Sequence, residues 1–293
     1  MIYRICLRLL MVTSVTSTVH SADLLQWKLS TGDSLKYAVQ NEMVTTANVG
    51  GFENKSRLIQ TMQMGWEVKT LTASRNYVVS QIIQHIRVEM SPNEEESIVF
   101  DSGSGEALAD PIARSLGNVF RKIVNREFTI TMAPTGAIED VVIPDGLLKT
   151  LKTAAAGTPN GLDEKALEQM LSQTSVILPA NPVETGDQWQ SQQAVELPFA
   201  TLRMDATMTY KGVNTDGLAV IDYSPAVTLE PKEDAPVQLE LRESHGSGKV
   251  LFDKHLGRVV RMQLKLNMKM QTTVRGQQVL QTIAQQTVMV LQK

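Results

Sequence analysis

Long runs of alternating apolar and polar residues constrain the fold of this chain more than any other feature. In the longest run, apolar side chains and one threonine occupy every second position from Met262 to Val274, and the residues between them are polar or charged. Alternation with period two places one set of side chains on each face of a β-strand, and no helix sorts residues in this way. At about 3.3 Å per residue the run spans roughly 45 Å. Because so long a strand must twist and bend with its sheet, the pattern predicts a strongly curved sheet.

The same alternation recurs elsewhere and predicts further strands of an antiparallel sheet with one wet face. The residues expected to face inward in three other long runs are Leu58, Met62, Met64, Trp66 and Val68, then Val78, Ile82, Ile86, Val88 and Met90, then Leu202, Met204, Ala206, Met208 and Tyr210. Shorter strand candidates are residues 35–43, 128–132, 218–223, 237–241, 250–252 and 279–291. Turns are predicted at Asn76, 214–217, 246–248, Gly257 and Gly276.

The middle of the chain has a helical pattern instead. Asp110 followed by Pro111 is typical of a helix start, and the apolar residues after it recur at spacings of three and four, namely Ile112, Leu116, Val119, Phe120 and Ile123. A second helix is expected to begin at Asp145, and a third to cover residues 163–173 with Ala166, Leu167, Met170 and Leu171 inward. Residues 154–161 form a breaker-rich loop between them.

These elements predict a mainly β fold, in which a long, strongly curved antiparallel sheet or incomplete barrel carries about three helices inserted mid-chain. We expect one mature β-rich domain over residues 22–293. Its first β set covers residues 22–109 and 126–144, and its second β set covers residues 183–293. The helical insert lies within residues 110–178. Thr31-Gly32-Asp33 opens the first set and Thr185-Gly186-Asp187 opens the second. The sequence leaves open whether the halves are a duplication or share a turn by accident.

Residues 1–21 have the layout of a secretory signal peptide. Arg4 and Arg8 precede an uncharged stretch, residues 9–19, and the small residues Ser21 and Ala22 flank the expected cleavage point. The uncharged stretch is too short and too polar for a membrane anchor, which needs about 20 apolar residues. We therefore expect a periplasmic or extracellular protein that does not span a membrane. Cys6 is the chain's one cysteine, so the mature protein would contain neither disulfides nor thiolate metal sites.

The charge balance argues against a nucleic-acid partner. The chain has 28 basic and 31 acidic residues, and loss of Arg4 and Arg8 leaves 26 against 31, a formal charge of −5. Binding to phosphates needs clustered Lys and Arg, which an acidic chain of this kind does not favour.

No catalytic motif is present in the sequence, and we expect no catalytic residues, metal or cofactor. His85, His245 and His255 lack the spacing of metal ligands. Residues 245–249 superficially resemble a phosphate loop but fit a hairpin turn better. The acidic stretch 94–96, with Asp101 and Glu106, lacks the regular spacing of a calcium loop and favours a solvated acidic loop.

Methionines on the predicted apolar strand faces suggest a lining for an irregular apolar ligand, because their side chains are flexible and polarizable. Ordinary core packing explains the same pattern and is the favoured interpretation of these methionines. The candidate lining residues are Met62, Met64, Trp66, Met204, Met208, Met268, Met270, Leu116 and Phe120.

The order of these features resembles a family of secreted bacterial proteins, domain of unknown function number 6263. The residues that carry the resemblance are Trp27-Lys28-Leu29, Gly32-Asp33, the strand-turn-strand segment 128–142, Gly186-Asp187 with Trp189, and Gly257-Arg258-Val259. The family implies no known activity. A curved sheet with helices against its open face is also similar, more loosely, to periplasmic lipoprotein carriers of the LolA and LolB type, although fold does not determine function.

The leading functional hypothesis is a non-enzymatic exported protein that holds a lipid or other hydrophobic ligand, or a lipid-modified or unfolded protein partner. The expected place is the space between the sheet's concave face and the helices of residues 110–173. One alternative is an envelope protein with a structural or interaction role and a fully packed core, which would contain no cavity of ligand size. A less favoured one is a carboxylate-based hydrolase with two acids in a cleft beside His245 or His255.

Overall fold

The computed structural model describes residues 22–93, 96–105, 109–154, 167, 171, 175–196, 200–232, 238–274 and 277–293. The predicted signal peptide and its cleavage point therefore lie mostly outside the described residues, as do residues 155–161 of the breaker-rich loop. In the described part of the chain the elements are β1 (Ser34–Val49), β2 (Phe52–Leu71), β3 (Tyr77–Ser91), β4 (Ile98–Asp101), α1 (Pro111–Ile123), β5 (Glu127–Met132), β6 (Ile138–Val142), α2 (Leu147–Ala154), β7 (Gln188–Glu196), β8 (Ala200–Val213), β9 (Ala219–Pro231), β10 (Gln238–Asp253), β11 (Arg258–Val274) and β12 (Gln277–Leu291).

The twelve strands form one antiparallel sheet, as the alternation predicts. Its order is β6-β5-β3-β2-β1-β12-β11-β10-β9-β8-β7, and β4 pairs with β3 beside this path. The edges β6 and β7 do not pair with each other, so the sheet is not closed into a barrel. The even-numbered residues of the long β11 run face inward as expected, and Leu266, Met268 and Met270 are at most 8% exposed. The prediction of a mainly β fold with a long antiparallel sheet is confirmed.

The two halves of the chain build their parts of the sheet in the same order. The first half contributes β6-β5-β3-β2-β1 and the second contributes β11-β10-β9-β8-β7, with β12 joining β1 to β11. Each half begins with a long hairpin, adds a third strand, and ends in a hairpin that turns at a glycine with positive φ, Gly136 or Gly257. This shared strand order favours duplication over accidental turn chemistry.

The two Thr-Gly-Asp turns have matching hydrogen bonds. In the first, the Asp33 carboxylate accepts from Ser30 N–H at 2.9 Å, and Gly32 N–H donates to Val68 O on β2 at 2.8 Å. In the second, the Asp187 carboxylate accepts from Glu184 N–H at 2.8 Å. Gly186 N–H donates to Tyr210 O on β8, the second strand of that hairpin, at 2.8 Å. Both glycines have positive φ, 91° for Gly32 and 103° for Gly186, a conformation that favours glycine.

The sheet curls strongly around residues 22–30, which precede β1 and are called here the first lead segment. The Tyr77 hydroxyl on β3 donates to Trp27 O at 2.7 Å, and the Tyr210 hydroxyl on β8 donates to the Asp23 carboxylate. Strands β3 and β8 are seven positions apart in the sheet, about 34 Å if the sheet were flat. Asp23 and Trp27 are at most about 14 Å apart along the chain. Only a curled sheet brings both tyrosines to the same short segment.

Residues 175–184, called the second lead segment, precede β7 and pack against the first. Asp23 and Val183 exchange two backbone hydrogen bonds of 2.8 and 2.9 Å, and the Trp27 indole donates to Val176 O at 3.3 Å. Each lead segment also bonds to the other half of the chain. Lys28 N–H of the first lead segment donates to Gly257 O in the second half, and Leu178 N–H of the second lead segment donates to Thr135 O in the first half. The two lead segments therefore tie the halves together at this end of the sheet, which we call the closed end.

An ion pair holds the start of the first lead segment. The Lys254 ammonium donates to Asp23 Oδ1 at 2.6 Å, and both side chains are about a quarter exposed. Burial acts to raise the pKa of Asp23, but the hydrogen bonds from Lys254 and Tyr210 outweigh it, so the pKa lies below its usual 3.8. For Tyr210, burial and then the hydrogen bond to Asp23 raise the pKa above its usual value. Asp23 is therefore anionic at neutral pH.

The prediction for the first part of β3 was wrong in register. Val78 and Ile82 were expected inward, but the buried residues there are Val79 and Ile83, at 2% and 0% exposure. In the pairing with β2, Ile83 lies opposite Met64 while His85 lies opposite Gln63, so Gln84 is the extra residue of a β-bulge. A bulge shifts the alternation by one position. The later residues of the strand, from Ile86 onward, face inward as predicted.

The predicted turn at residues 246–248 was also wrong, since these residues lie in the middle of β10. Gly246 and Gly248 have no positive φ, and both pair with β11. A Cβ at position 246 would lie 2.2 Å from Pro225 Cγ, and one at 248 would lie 2.7 Å from Gln263 O. The glycines are therefore required by close neighbours inside the sheet, a constraint that the local sequence does not reveal.

The helix predictions hold in part. Helix α1 begins at Pro111 with Asp110 as its N-cap, whose carboxylate accepts from Ile112 N–H and Ala113 N–H. Ile112, expected inward, is 44% exposed, whereas Ile123 is fully buried. Helix α2 begins at Leu147, two residues later than expected. Most of the third predicted helix lies outside the described residues, but Leu167 and Leu171 are buried as expected.

Candidate ligand-binding face

The main core fills the closed end of the curled sheet. The Trp27 ring lies 5.7 Å from the Trp66 ring on β2 and 6.2 Å from the Phe252 ring on β10, and Tyr37 on β1 packs against Trp66 at 5.5 Å. All four aromatic side chains are at most 4% exposed. On the first-half side this core continues to α1, where the Phe120 ring stacks on Phe100 at 5.9 Å. The closed end is therefore packed protein interior.

Beyond the main core the same strands continue into an open half, where inward-facing apolar side chains are only half buried. On β1 the inward side chains change from fully buried at Tyr37 to only half-buried at Met43, three inward positions further along the strand. We call the half-exposed apolar residues of this inner surface the open face. Its members are Met43, Leu58, Met90, Leu202, Met204, Leu229, Leu241 and Ile283.

A second apolar cluster forms one wall of the open half. Strands β9 and β10 pair only between Ala219–Tyr223 and Gly248–Phe252, and beyond them β9 pairs with β8 alone. Pro225, which lacks a backbone N–H, lies at this division and faces Gly246. Past the division, side chains of β8 and β9 pack against β10, β11 and β12 in a cluster of Val227, Leu239, Leu266, Met268 and Met270 with Leu202, Met204, Leu229, Leu241 and Ile283.

A polar belt lies on the central strands, and on β12 it separates Met289 of the main core from Ile283 of the second cluster. Asn41 on β1 faces inward between them, and its Oδ1 accepts from Gln285 Nε2 at 3.1 Å and from Thr287 Oγ1 at 3.2 Å on β12. Gln60 on β2 lies opposite Asn41 on the same face. All four side chains are half-buried. Because both bonds end on Asn41 Oδ1, the Asn41 amide nitrogen keeps donors that no residue in the described part of the chain occupies.

The inner face of the long strands is free of charge. On β1, β2, β3 and β8–β12, the described residues whose register faces them inward include no Lys, Arg, Asp or Glu. On β12, for example, Ile283 and Gln285 face inward while Gln286 faces outward between Lys265 and Glu42. The charged residues of these strands form outward pairs such as Arg57 with Glu42 at 2.7 Å and Lys269 with Glu243 at 2.9 Å.

The candidate lining residues from the sequence divide between the two clusters. Met62, Met64, Trp66 and Met208 are at most 4% exposed in the main core. Leu116 and Phe120 of α1 pack half-buried against that core, while Met204, Met268 and Met270 belong to the second cluster. Sequence reasoning missed Met43, Asn41 and Gln285, because only the register of β1 against β12 brings them together. A polar interruption in the inward series of β1, at Asn41, was the available signal.

A cavity of about 540 Å³ lies elsewhere, between β4 and the start of α1. Its lining is mainly polar and includes Arg87, Glu96, Asp101, Ser104 and Asp110. His85 Nε2 contacts Asp101 Oδ1 at 2.7 Å, and Gly103 N–H donates to the same oxygen at 2.8 Å.

The Asp101 contacts fix the corner between β3 and β4. Burial acts to raise the pKa of Asp101, but hydrogen bonds from Gly103 and His85 and the nearby Arg87 guanidinium bring it below 3.8. The carboxylate therefore stays ionised as a fixed acceptor. His245 is exposed, and the His255 N–H donates to Asp253 Oδ1.

Among the described residues, no cluster of three or more His, Cys, Asp or Glu side chains could hold a metal ion. Glu94, Glu95 and Glu106 of the acidic stretch lie outside the described residues. No helix in the described ranges has both the length and the apolar character needed to span a membrane.

Comparison with solved structures shows a shared fold at low sequence identity. A structure described as "Lipid-protein interactions in lipovitellin" has a TM-score of 0.54 and 10% identity, covering 91% of this chain but only 26% of that one. The COG4313 outer membrane channel from Pseudomonas putida F1 has 10% identity and a TM-score of 0.22, with 91% and 97% of the two chains covered. A DUF1329 family protein from Desulfovibrio piger ATCC 29098 has 8% identity and a TM-score of 0.13, with 85% and 83% covered. The last two scores are too low to show a common fold.

No curated protein matches the chain. A family described as "Family of unknown function (DUF6263)" matches residues 74–284, which is more than two thirds of the sequence. The match runs from the β2–β3 turn into β12 and so includes most of both sheet halves. The chain therefore belongs to the DUF6263 family.

Proposed function

We propose that this chain is an exported, non-enzymatic protein that binds a hydrophobic ligand on the open face of its curved sheet. The observation that carries the proposal is the partial exposure of apolar side chains that face inward. Met43, Leu58 and Ile283 lie on the inner side of the same strands that are fully packed at the closed end. Contiguous apolar surface left exposed on a soluble protein marks a binding site more often than a packing defect.

The composition of the open half suits an irregular apolar ligand. Met43, Met90 and Met204 are half-buried, and Met204 packs with Met268 and Met270 in the second cluster. A methionine side chain has three rotatable bonds and adapts to the shape of an acyl chain at little cost. Aromatic residues, which would form a more rigid pocket, are concentrated instead in the closed end.

The likeness to lipovitellin supports the same proposal at the level of fold. That structure concerns lipid–protein interactions, and the part that this chain resembles is about a quarter of its length. An identity of 10% carries no information about individual binding residues. We therefore choose a lipid as the first ligand class for the binding test.

The absence of catalytic motifs in the sequence and the pairing of Asp101 support a non-enzymatic role. A catalytic acid or base needs a pKa near the working pH, whereas the pKa of Asp101 is held below 3.8 and its oxygens are occupied by Gly103, His85 and Arg87.

Export is proposed from the first 21 residues. If cleavage follows Ser21, the mature chain begins at Ala22, next to the Asp23 carboxylate that Lys254 and Tyr210 bind. N-terminal sequencing of protein recovered from a periplasmic or culture-medium fraction of an expressing bacterium tests this directly. A chain that retains Met1 and stays in the cytoplasm would contradict export.

The binding proposal is tested with the purified mature chain and a fluorescent acyl ester, the methyl ester of 1-pyrenedodecanoic acid. We expect saturable binding that Met43→Asp weakens at least about tenfold, because the change places a charge on the apolar open face. Thr46→Asp is the matched control, since Thr46 lies on the outer face of the same strand. Melting temperatures of both variants confirm that they fold.

Two results would contradict the proposal. If the probe does not bind, and native mass spectrometry of protein purified without detergent shows no bound lipid, the open face has no such ligand. If light scattering shows a stable dimer that Met43→Asp dissociates, a second copy of the chain covers the face instead. The alternative of an envelope protein with a structural role, which the packing of the closed end favours, would then be preferred.

A further inference from the structure

We propose that the ligand inserts an uncharged acyl ester, as in a glyceride, against the polar belt, and that the open half selects against free carboxylates and phosphates. This inference rests on the proposed function and adds the chemical class of the ligand. It is argued from charge and hydrogen-bonding groups on the inner face.

The inner face of the long strands offers no counter-charge to an anionic headgroup among its described residues. The described inward-facing residues of β1, β2, β3 and β8–β12 include no Lys or Arg. A carboxylate or phosphate moved from water to such a surface loses its hydration without gaining an ion pair, which is strongly unfavourable. Binders of anionic headgroups place Arg or Lys at the anion, and here the basic side chains of these strands lie on the outer face.

The polar belt carries uncharged hydrogen-bonding groups that suit an ester. Asn41, Gln60, Gln285 and Thr287 offer amide and hydroxyl groups on the inner face of the central strands. Gln285 and Thr287 already donate to Asn41 Oδ1, but a purely hydrocarbon ligand would leave the Asn41 amide donors without a partner, which carries a cost. An ester carbonyl accepts from the Asn41 amide while its acyl chains lie on the apolar walls.

A buried hydroxyl without a partner in the described part of the chain lies on β10, two strands away from Gln285 on β12. The hydroxyl of Ser244 on β10 is buried and has no hydrogen-bond partner within the described residues. Ser244 faces inward opposite Met268, in the wall of the open half. A buried donor without a partner is rare in native proteins, and a ligand carbonyl on that side would satisfy it. The belt and Ser244 together fit a ligand with more than one ester group.

The test compares 1-pyrenedodecanoic acid with its methyl ester at pH 8, where the acid is ionised. The probes differ only at the headgroup, and we expect the wild-type protein to bind the ester at least about tenfold more tightly. Gln285→Lys places an ammonium group at the belt and is expected to raise the affinity for the acid at least about tenfold. Gln286→Lys, on the outer face of the same strand, is the matched control and should leave the ratio unchanged.

The outcomes separate this inference from the proposed function. Equal affinity for the two probes, or tighter binding of the acid by the wild-type protein, would overturn the selectivity while leaving a hydrophobic binding site intact. An unchanged affinity ratio in a folded Gln285→Lys variant would also overturn it, since the headgroup would then lie away from the belt. Failure of both probes to bind would overturn the proposed function itself.

Discussion

The closed end and the open half are parts of the same strands, yet they differ in what covers their inner face. At the closed end two lead segments and the aromatic cluster around Trp27 bury Tyr37 and Met62 almost completely. A few residues further along, Met43 and Leu58 face the same side and remain half-exposed. The alternation in the sequence is the same in both regions. Burial along a strand is therefore set by what lies against it, and the uncovered part is the part available to a ligand.

The largest difference is expected from matched methionine truncations on the inner face. Met62→Ala removes a side chain that is 1% exposed in the main core and should destabilise the protein by about 2–5 kcal/mol. Met43→Ala removes a half-exposed side chain and should cost less than about 1 kcal/mol. Urea unfolding of both variants measures the difference. Similar losses would show that the open half is as tightly packed as the closed end.

Glycine substitutions in turns at the two ends give the next contrast. Gly136 has φ of +85°, and a Cβ there would lie 2.2 Å from Val176 O of the second lead segment. Gly51, in the β1–β2 turn at the open end, has φ of +89° with nothing within 4 Å of a Cβ. Gly136→Ala should cost about 2–4 kcal/mol from backbone strain and the clash, and Gly51→Ala about 1 kcal/mol from strain alone. Equal costs in thermal unfolding would argue that the second lead segment is not fixed against this turn.

The Asp23 ion pair makes the closed end sensitive to acid. Because the folded-state pKa of Asp23 lies below 3.8, its contribution to stability is present above that pH and is lost as the pH falls through the folded value. Asp23→Asn should therefore cost about 1–2 kcal/mol at pH 7, and the gap from wild type should shrink below about pH 4. Urea unfolding at pH 7 and pH 3 measures both values. A gap that is the same at both pH values would mean that the carboxylate charge does not stabilise this end.

The smallest effect on stability is expected at the rim of the open half. Phe52, at the tip of the β1–β2 hairpin, is 83% exposed, and Leu280 on the neighbouring β12 is 49% exposed. Phe52→Ser should change stability by less than about 0.5 kcal/mol. If the rim contacts the lipid source, the same change should slow uptake of the pyrene ester from phosphatidylcholine vesicles severalfold, measured by stopped-flow fluorescence. An unchanged rate would place ligand entry elsewhere.

Much of the fold could be predicted from the sequence because strand alternation is a local signal. The inward residues of β2, β8 and β11 were assigned correctly from period two alone. The errors fall at Gln84 and Gly246, where a bulge and a close contact with Pro225 depend on neighbouring strands. The candidate lining was less predictable, since alternation identifies an inward side chain such as Met62 or Met204 without revealing whether anything covers it.

The sequence by itself determined the long antiparallel strands, the inward set of side chains on most of them, and the helix that begins at Pro111. Those features depend on the pleat of a strand and the capping of a helix, which nearby residues control. Only the tertiary structure decided that the two halves repeat one strand order, that two lead segments close one end, and that Asn41 meets Gln285 across β1 and β12. These depend on contacts between residues far apart in the chain, such as Trp27 with Val176, 149 positions away, and Asn41 with Gln285, 244 positions away, and no local pattern encodes such contacts.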